Sequence, residues 1–415
     1  MTFADFLNNP INFIANWLTG VLTGWGLGAD LATILVYLVG ITVLVVFAMV
    51  LDIGLVWVER KVVARFQDRV GPNRIGPFGL VQPFADIIKL VIKEDITPAG
   101  ADKVIYNIAP VLAAMSVIIL WAILPLSSKI FNADLNVGLL YIVATGALGT
   151  LSIIMAGWSS NNKYALVGAF RMVANMISYE IPMVVILLVP TILADSMSMQ
   201  GIIAGQGGMW FAVISPLAFL IFFISAIAEL GRSPFDLIEA ESELTAGFNV
   251  EYSGMKFGWF YASELLHAFT FGGFMAVLFF GGYSAFGLEK LPGFVGQFFS
   301  NPFIEALVFI AKAMFGYWAI MWVKYSMPRV RIDHMLAFNW KFLVPLSLVV
   351  LVNTAVLHRL LMDLPDWIYV GGMFLSNIVI AAITVEILRA NGRKQRKQNL
   401  ILSPQTPLQK GEGQG

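Results

Sequence analysis

Long apolar segments constrain this chain more than any other feature of its sequence. A run of about eighteen or more mostly apolar residues can cross a lipid bilayer as a helix. Such runs occur near 31–58, 104–126, 138–158, 165–194, 211–230, 257–285, 303–325, 342–361 and 367–388. The chain is 58% apolar and only 13% charged, which excludes a soluble protein. We therefore predict an all-α polytopic membrane protein with eight or nine transmembrane helices.

The regions on either side of these spans predict three parts of the chain. Residues 1–30 form an N-terminal interfacial segment, in which apolar residues recur at helical spacing. These residues are Phe3, Phe6, Leu7, Ile11, Ile14, Trp17, Leu18 and Val21. Residues 31–388 form one membrane domain, with a core to about 361 and an extra helix over 367–388. Residues 389–415 form a tail that is first basic and then disordered.

The distribution of positive charge predicts the orientation of the chain. With the N-terminus outside, the connections after spans one, three, five and seven face the cytoplasm, as does the tail. Of 26 Lys and Arg residues, only Lys129, Lys290 and Arg359 then lie outside, and Lys312 lies within a span. Because Lys and Arg collect in cytoplasmic loops, we predict the N-terminus outside and the C-terminus inside.

Several kinds of chemistry are excluded by what the sequence lacks. There is no cysteine for an iron–sulfur cluster or a disulfide, and with only three histidines in the sequence we do not expect a two-histidine haem or a histidine-rich zinc site. The sequence has no phosphate-binding loop and no glycine-rich dinucleotide motif. Its 26 basic and 26 acidic residues cancel, so we expect no nucleic-acid partner. We expect no catalytic residue, metal or cofactor on this chain.

An amphipathic segment follows the first span and its Gly- and Pro-rich connection. Over 79–94, apolar residues occupy one helical face, while Gln82, Asp86, Lys89 and Lys93 occupy the other. The segment is too short to span a membrane and predicts an interfacial helix. It is either a plain interfacial anchor or the roof of a cavity, with Asp86 facing a wet interior.

Acidic residues are concentrated between spans five and six. They are Glu229, Asp236, Glu239, Glu241, Glu243 and Glu251, with Arg232 among them. Clustered carboxylates raise one another's pKa, so this segment predicts groups that hold protons near neutral pH. The alternative is a solvated acidic loop, although apolar residues such as Phe235 and Phe248 interrupt the acids.

Ionisable residues also lie inside the predicted spans. Glu180 is in the middle of span four, Glu264 is in span six, Lys312 is in span seven and Asp52 is near the inner end of span one. Each costs roughly 2.5–3.5 kcal/mol at the bilayer centre, and such residues usually face a bundle interior or water. Each could instead be satisfied by a local partner, such as Glu305 for Lys312. Together with the acidic loop they predict a path for protons.

Several separated motifs in this sequence resemble one protein family. They are Glu59-Arg-Lys, Arg69-Val-Gly-Pro-Asn, Gln82-Pro-Phe-Ala-Asp86, Ser160-Asn-Asn-Lys-Tyr-Ala-Leu, Ser178-Tyr-Glu-Ile-Pro, Arg232 with Pro234-Phe-Asp236, Glu239-Ala-Glu-Ser-Glu-Leu, Glu251-Tyr-Ser-Gly-Met-Lys-Phe and Pro328-Arg-Val-Arg-Ile-Asp. This set resembles the quinone-chamber subunit of proton-pumping NADH:quinone oxidoreductase, respiratory complex I, which is designated H in bacteria and 1 in mitochondria. The resemblance runs from about Glu59 to Pro345.

The resemblance implies a place in a larger translocase of the respiratory chain. Partner subunits would carry flavin and iron–sulfur clusters, and a quinone, ubiquinone or menaquinone, would enter a chamber in this chain from the lipid as substrate. The implied partners are peripheral quinone-site subunits on the cytoplasmic face, small membrane subunits and antiporter-like subunits. The implied location is the cytoplasmic membrane of a bacterium.

The resemblance also assigns roles to individual residues. The implied chamber residues are Arg60, Arg69, Asp86, Arg232, Glu239, Glu241, Glu243 and Glu251. The implied proton path comprises Glu180, Glu229, Glu264 and Lys312, to which we add Asp52 from its position in span one.

Two other functions stay open from the sequence. One is the equivalent subunit of a ferredoxin-linked membrane-bound hydrogenase, because this chain holds no electron carrier that would distinguish the donors. The other is a self-sufficient proton-coupled transporter, although the inverted repeats typical of that class are not visible in the sequence.

Overall fold

The computed structural model describes residues 9–131, 133–237 and 243–402, and these residues form helices joined by irregular connections without a β-strand. Eight of the helices are long and apolar enough to cross a membrane. A ninth apolar helix, Pro216–Glu229, is shorter. The predicted all-α polytopic fold with eight or nine spans is therefore confirmed.

The first three helices include the two predicted to lie along the membrane surface. Helix α1 covers Pro10–Gly24, α2 covers Ala29–Phe66, and α3 covers Gln82–Ile92. Of the apolar residues that predicted α1, Phe3, Phe6 and Leu7 lie outside the described residues. Helix α3 begins at Gln82 because Pro83 fits the first turn of a helix, where no backbone N–H is needed.

The middle of the chain supplies the helices that surround the site. They are α4 Lys103–Leu120, α5 Gly138–Ser159, α6 Lys163–Ala194, α7 Met199–Gly205, α8 Phe211–Ile214, α9 Pro216–Glu229 and α10 Gly254–Phe279. Helix α10 is at the centre of the bundle, since 83% of its most apolar stretch is buried, against 11% for α2.

The last part of the chain contains the two closing spans. Its helices are α11 Phe294–Phe299, α12 Pro302–Ser326, α13 Ile332–Phe338, α14 Val344–Leu361 and α15 Asp366–Leu402. A π-helical turn, Asn339–Leu343, joins α13 to α14, so this span begins ten residues before its predicted start at 342. Helix α15 continues past its predicted end at 388, and residues 403–415 of the predicted tail lie outside the described residues.

Contacts between connections divide the molecule into two sides. On one side, the backbone N–H of Ile96 donates to Ser253 Oγ at 2.9 Å. On the other side, Ser128 donates to Glu305 Oε2 at 2.6 Å, and Tyr283 donates to Gln200 Oε1 at 2.6 Å. These pairs agree with the alternation of spans along the sequence. We call the side that carries the Ile96 connection the basic side.

Helices α10 and α12 approach each other closely at two glycines. A Cβ atom placed on Gly272 would lie 2.4 Å from the carbonyl oxygen of Ala313, and one placed on Gly316 would lie 2.9 Å from Gly272 Cα. Only a residue without a side chain permits this separation. The crossing fixes α12 against the central helix, and both helices contribute to the site.

Two prolines inside helices free backbone carbonyls that distant side chains satisfy. Pro110 and Pro182 lack the N–H that would bond to the carbonyls of Tyr106 and Ser178. Tyr252 donates its hydroxyl to the Tyr106 oxygen at 3.2 Å, and Asn339 donates its amide to the Ser178 oxygen at 2.6 Å. Each proline thereby creates an attachment point for a distant part of the chain.

Candidate functional site

A cluster of buried charges lies where α2, α10 and α12 meet the segment after α9. The Arg232 guanidinium is 1% exposed, and its Nε lies 3.2 Å from Glu264 Oε1. Its Nη1 lies 3.9 Å from Glu59 Oε1, which also accepts from Lys324 Nζ at 3.0 Å and from the Tyr325 hydroxyl at 2.5 Å. Two positive and two negative side chains thus share one buried volume, which we call the central charge cluster.

Arg232 keeps its positive charge in this environment. Burial lowers the pKa of its guanidinium, but the nearby carboxylates of Glu59 and Glu264 raise it by more, so the pKa is held above its ordinary value. Arg232 follows α9 directly, and its backbone N–H bonds to the carbonyl of Ile227 at 3.2 Å. The end of α9 therefore positions a fixed cation beside the central helix.

Several buried polar atoms around the cluster have no hydrogen-bond partner among the described residues. They are Asp52 Oδ1, Glu59 Oε2, Glu229 Oε2, Arg232 Nη2 and the Tyr317 hydroxyl. Buried polar groups are costly unless they are hydrogen-bonded. These atoms can therefore form hydrogen bonds with water or with a bound polar molecule.

A cavity of about 70 Å³ adjoins the cluster and brings two of the predicted acids together. Glu229 from α9 and Glu264 from α10 both line it. Glu180 is half-buried on α6, close enough to Glu229 for the two carboxyl groups to repel each other. The cavity can hold water, because its volume exceeds the roughly 10–15 Å³ that one water requires. Three acids of the predicted proton path are thus neighbours.

The predicted chamber residues of α2 and α3 form a separate group on the basic side. Arg60 Nη1 lies 2.6 Å from Asp86 Oδ2, and Lys89 Nζ lies 3.7 Å from Asp86 Oδ1. This ion pair joins α3 to the end of α2. Arg69 does not join the group: it is exposed, and its Nε donates to Gln67 Oε1 at 2.6 Å.

The acidic connection before α10 is only partly described. Glu243 is paired with Arg171 on α6 at 2.5 Å and with Arg329 at 3.4 Å. Glu251 Oε1 accepts from Asn162 Nδ2 at 2.7 Å. Glu239 and Glu241 lie outside the described residues. Glu243 and Glu251 are therefore attached to α6 and its N-terminus, unlike the acids of a freely solvated loop.

Aromatic side chains hold the same connection against α4. The Tyr252 and Tyr106 rings are stacked with their centroids 4.1 Å apart, and Tyr106 donates its hydroxyl to the Glu251 carbonyl at 2.7 Å. Burial raises the pKa of the Tyr252 hydroxyl to about 12. Tyr252 is therefore a neutral hydrogen-bond donor at physiological pH.

Lys312 lies apart from the predicted acids, at the end of α10 opposite the basic side. Its Nζ donates to the carbonyl oxygens of Phe280, Gly282 and Ser284 at 2.6, 2.9 and 2.7 Å. Trp210 and Phe286 face the same nitrogen, with ring centroids 5.4 Å away. Three acceptor carbonyls require three N–H donors, which only the protonated ammonium supplies.

Sequence reasoning missed one member of the central charge cluster, Lys324, and two tyrosines beside the cluster. Lys324, Tyr325 and Tyr317 come from the second half of α12, and Glu59 was noted only as part of a motif. Lys324 and Tyr325 end an apolar span, where a lysine is ordinarily explained by the membrane interface. Among the described residues, no group of three or more His, Asp or Glu side chains is arranged to hold a metal ion.

Comparison with known proteins gives consistent matches over most of the chain. The family model described as NADH dehydrogenase matches residues 38–355. A protein named as the H subunit of NADH-quinone oxidoreductase from Dehalococcoides mccartyi (strain CBDB1) is 45% identical over 323 residues, covering 78% of this chain and 86% of the relative. Proteins of the same name are 46% identical over 300 residues in Geobacillus kaustophilus (72% of this chain, 86% of the relative) and 40% identical over 343 residues in Phocaeicola vulgatus (81% and 94%).

Proposed function

Because this chain belongs to the family of the NADH-quinone oxidoreductase H subunit, we propose that it forms the chamber through which a quinone reaches its site of reduction. We propose further that its buried carboxylates couple quinone reduction to proton translocation. The chain acts as a conduit and a coupling element within a larger enzyme. It supplies no redox centre, so the isolated chain is expected to have no oxidoreductase activity.

The observation that carries this proposal is the series of ionisable groups leading from the basic side into the bundle. The Arg60–Asp86 pair lies at the end of α2, and Glu59 is the neighbouring residue within the central charge cluster. Glu264 joins that cluster to the cavity, where Glu229 also lies. A change of charge on a quinone head group near α2 and α3 would act on these acids electrostatically.

The proposal assigns the electron-transfer steps to other subunits. Flavin and iron–sulfur clusters would be in peripheral subunits on the cytoplasmic face, while small membrane subunits and antiporter-like subunits continue the proton path. The chain would lie in the bacterial cytoplasmic membrane with its basic side inward. The exposed ends of α2 and α3 would then face the peripheral subunits.

Replacement of the buried acid Glu229 tests the coupling role. In the assembled complex, Glu229→Gln and Glu180→Gln should lower both coupled quinone reduction and proton pumping, because neither amide can accept and release a proton. Glu386→Gln is the matched control, since Glu386 is exposed on α15 and paired with Arg389. Wild-type pumping in both acid variants would refute the proposed coupling role.

Co-purification tests the assignment to a quinone-reducing complex. Mass spectrometry of the complex that leaves the membrane with this chain should identify subunits that bind flavin and NADH. Nickel–iron subunits in their place would assign the chain to a membrane-bound hydrogenase. If the purified chain alone transported a solute in liposomes, the chain would instead be a secondary transporter.

A further inference from the structure

A histidine shares the cavity with the two acids, and nothing in the proposed function uses it. His267 lines the cavity together with Glu229 and Glu264. It follows Glu264 by three residues on α10, so the two side chains lie on the same helical face. Its ring is 5.0 Å from that of Phe271, measured between centroids, which limits its movement on the other side.

Hydroxyl groups on the cavity wall are arranged to accept hydrogen bonds. Ser116, Ser152 and Ser263 line the cavity, and each donates its single hydroxyl hydrogen to a backbone carbonyl of its own helix, at 2.7, 2.6 and 2.7 Å. Each oxygen therefore retains only lone pairs for further hydrogen bonds. These oxygens can receive hydrogen bonds from cavity water and so hold that water in place next to the imidazole.

We infer that His267 is a third proton-holding side chain of this cavity and that it transfers protons through cavity water between Glu264 and Glu229. This inference rests on the proposed coupling role. A neutral imidazole has one protonated and one unprotonated nitrogen. The first water gives a proton to the unprotonated nitrogen, forming a new N–H bond, and regains a proton from the Glu264 carboxylic acid, whose O–H bond breaks. The N–H bond at the other nitrogen then breaks as a second water takes that proton and gives one of its own to the Glu229 carboxylate, so both waters are restored.

The other charged and titratable groups facing His267 are few. They are Glu229 at the end of α9, Glu264 and Tyr261 on α10, and Arg232, whose cation acts on the imidazole. The parts of the wall contributed by α4, α5 and α6 hold no titratable side chain. They are Ala113, Ser116, Val117, Gly149, Ser152, Ile153, Met172 and Met176. His267 is therefore the one imidazole in a wall otherwise built from carboxyl, hydroxyl, amide and apolar groups.

Two substitutions at His267 test the inference in the assembled complex. His267→Asn replaces the imidazole by a polar side chain that does not titrate. His267→Leu replaces it by an apolar side chain of similar volume. Both should lower the rate of coupled proton pumping by roughly 100-fold. Both should also change the dependence of quinone reduction on pH, because proton exchange between Glu264 and Glu229 would then lack the imidazole.

The controls separate this inference from the proposed function. His358→Asn is the matched control, because His358 contacts Tyr369 between α14 and α15, away from the cavity. If Glu229→Gln abolishes pumping while both His267 variants keep the wild-type rate and pH profile, the inference is wrong and the coupling role stands. If Glu229→Gln and Glu180→Gln both pump normally as well, the coupling role itself fails. If one His267 variant does not assemble, the other decides the outcome.

Discussion

The carboxylate of Glu59 holds together side chains from distant parts of the chain. It accepts hydrogen bonds from Lys324 and Tyr325 on α12 and lies beside Arg232, which follows α9. Both Glu59 and Arg232 are buried, so the energies of their charges depend on each other. Glu264 carries the second negative charge of the cluster. Of the two basic side chains in the cluster, Arg232 is the one that lies within salt-bridge distance of Glu264.

We predict that Glu59→Gln destabilises the protein strongly. Arg232 would remain buried and Lys324 partly buried with only Glu264 to balance them, and breaking a buried ion pair from one side typically costs about 3–5 kcal/mol. The free energy of unfolding can be measured by denaturant titration in detergent. Asp333→Asn is the control, because its pair with Arg331 is exposed and worth at most about 1 kcal/mol. Equal losses in the two variants would contradict the prediction.

Individual ionisable residues of the site were predictable from the sequence where they lie within an apolar run, because a charged side chain there is costly in free energy. A carboxyl or an ammonium group inside an apolar run marks a polar interior, and this identified Glu180, Glu264 and Lys312. Glu59 and Lys324 lie near span ends, where charge is ordinary, and their contact joins residues 265 positions apart. No local pattern encodes such a pair. The roles of the predicted chamber and path residues stay predictions until they are tested by mutation.

Prolines inside α4 and α6 do more than bend these helices. Pro182 removes the partner of the Ser178 carbonyl, and the buried amide of Asn339 replaces it from the π-helical turn before α14. Tyr179 adds a second link to the same region by donating its hydroxyl to the Met335 carbonyl at 3.1 Å. The carbonyl that Pro182 leaves without a helical partner thereby attaches α6 to the last third of the chain.

We predict that Asn339→Ala destabilises the protein and that Pro182→Ala partly rescues it. Without Asn339 the Ser178 carbonyl is buried and unpaired, which costs about 1–3 kcal/mol. An alanine at 182 supplies the missing N–H from within α6. The measurement is a double-mutant cycle on the free energy of unfolding. Pro190→Ala is the matched control, because Pro190 is also a buried proline of α6. Rescue by Pro190→Ala as well would contradict the prediction.

The existence of the long helices was predictable, but their ends depended on local chemistry. Helix α10 stops at Phe279, before the predicted end at 285, because Gly281 and Gly282 have φ angles of 71° and 52° that a helix does not allow. Helix α15 extends to Leu402 because its polar end is rich in Arg, Lys and Gln, which favour helix. Apolar periodicity does not report on such a segment.

For the whole molecule, the two sides differ in charge, and this difference predicts the orientation. The basic side carries Arg60 near the end of α2, Lys89 on α3, Lys256 at the start of α10 and Arg329 after α12, whereas Lys129 lies on the opposite side. The contacts between connections agree with this grouping. The charge pattern alone therefore sorted the connections correctly, while the absolute direction in the membrane stays a prediction.

Single cysteines can test that direction without background, because the natural sequence has none. We predict that Lys129→Cys reacts with a membrane-impermeant maleimide added outside intact cells stripped of their outer layers. Arg393→Cys should react only in inside-out vesicles or after permeabilisation. Both positions are exposed in the described part of the chain. The opposite labelling pattern would reverse the orientation, and labelling of both from outside would disprove the span count.

The Lys312 ammonium has a consequence for the direction of ion movement. The carbonyls that it caps lie just beyond the C-terminal end of α10, where the helix dipole is negative and would attract a mobile cation. A tethered cation occupies that place instead, between two aromatic rings. The C-terminal end of the helix that carries Glu264 is thus already occupied by a fixed positive charge, which repels a mobile cation. If Glu264 exchanges protons as proposed, we expect those protons to enter and leave at the other end of α10 or sideways through the bundle.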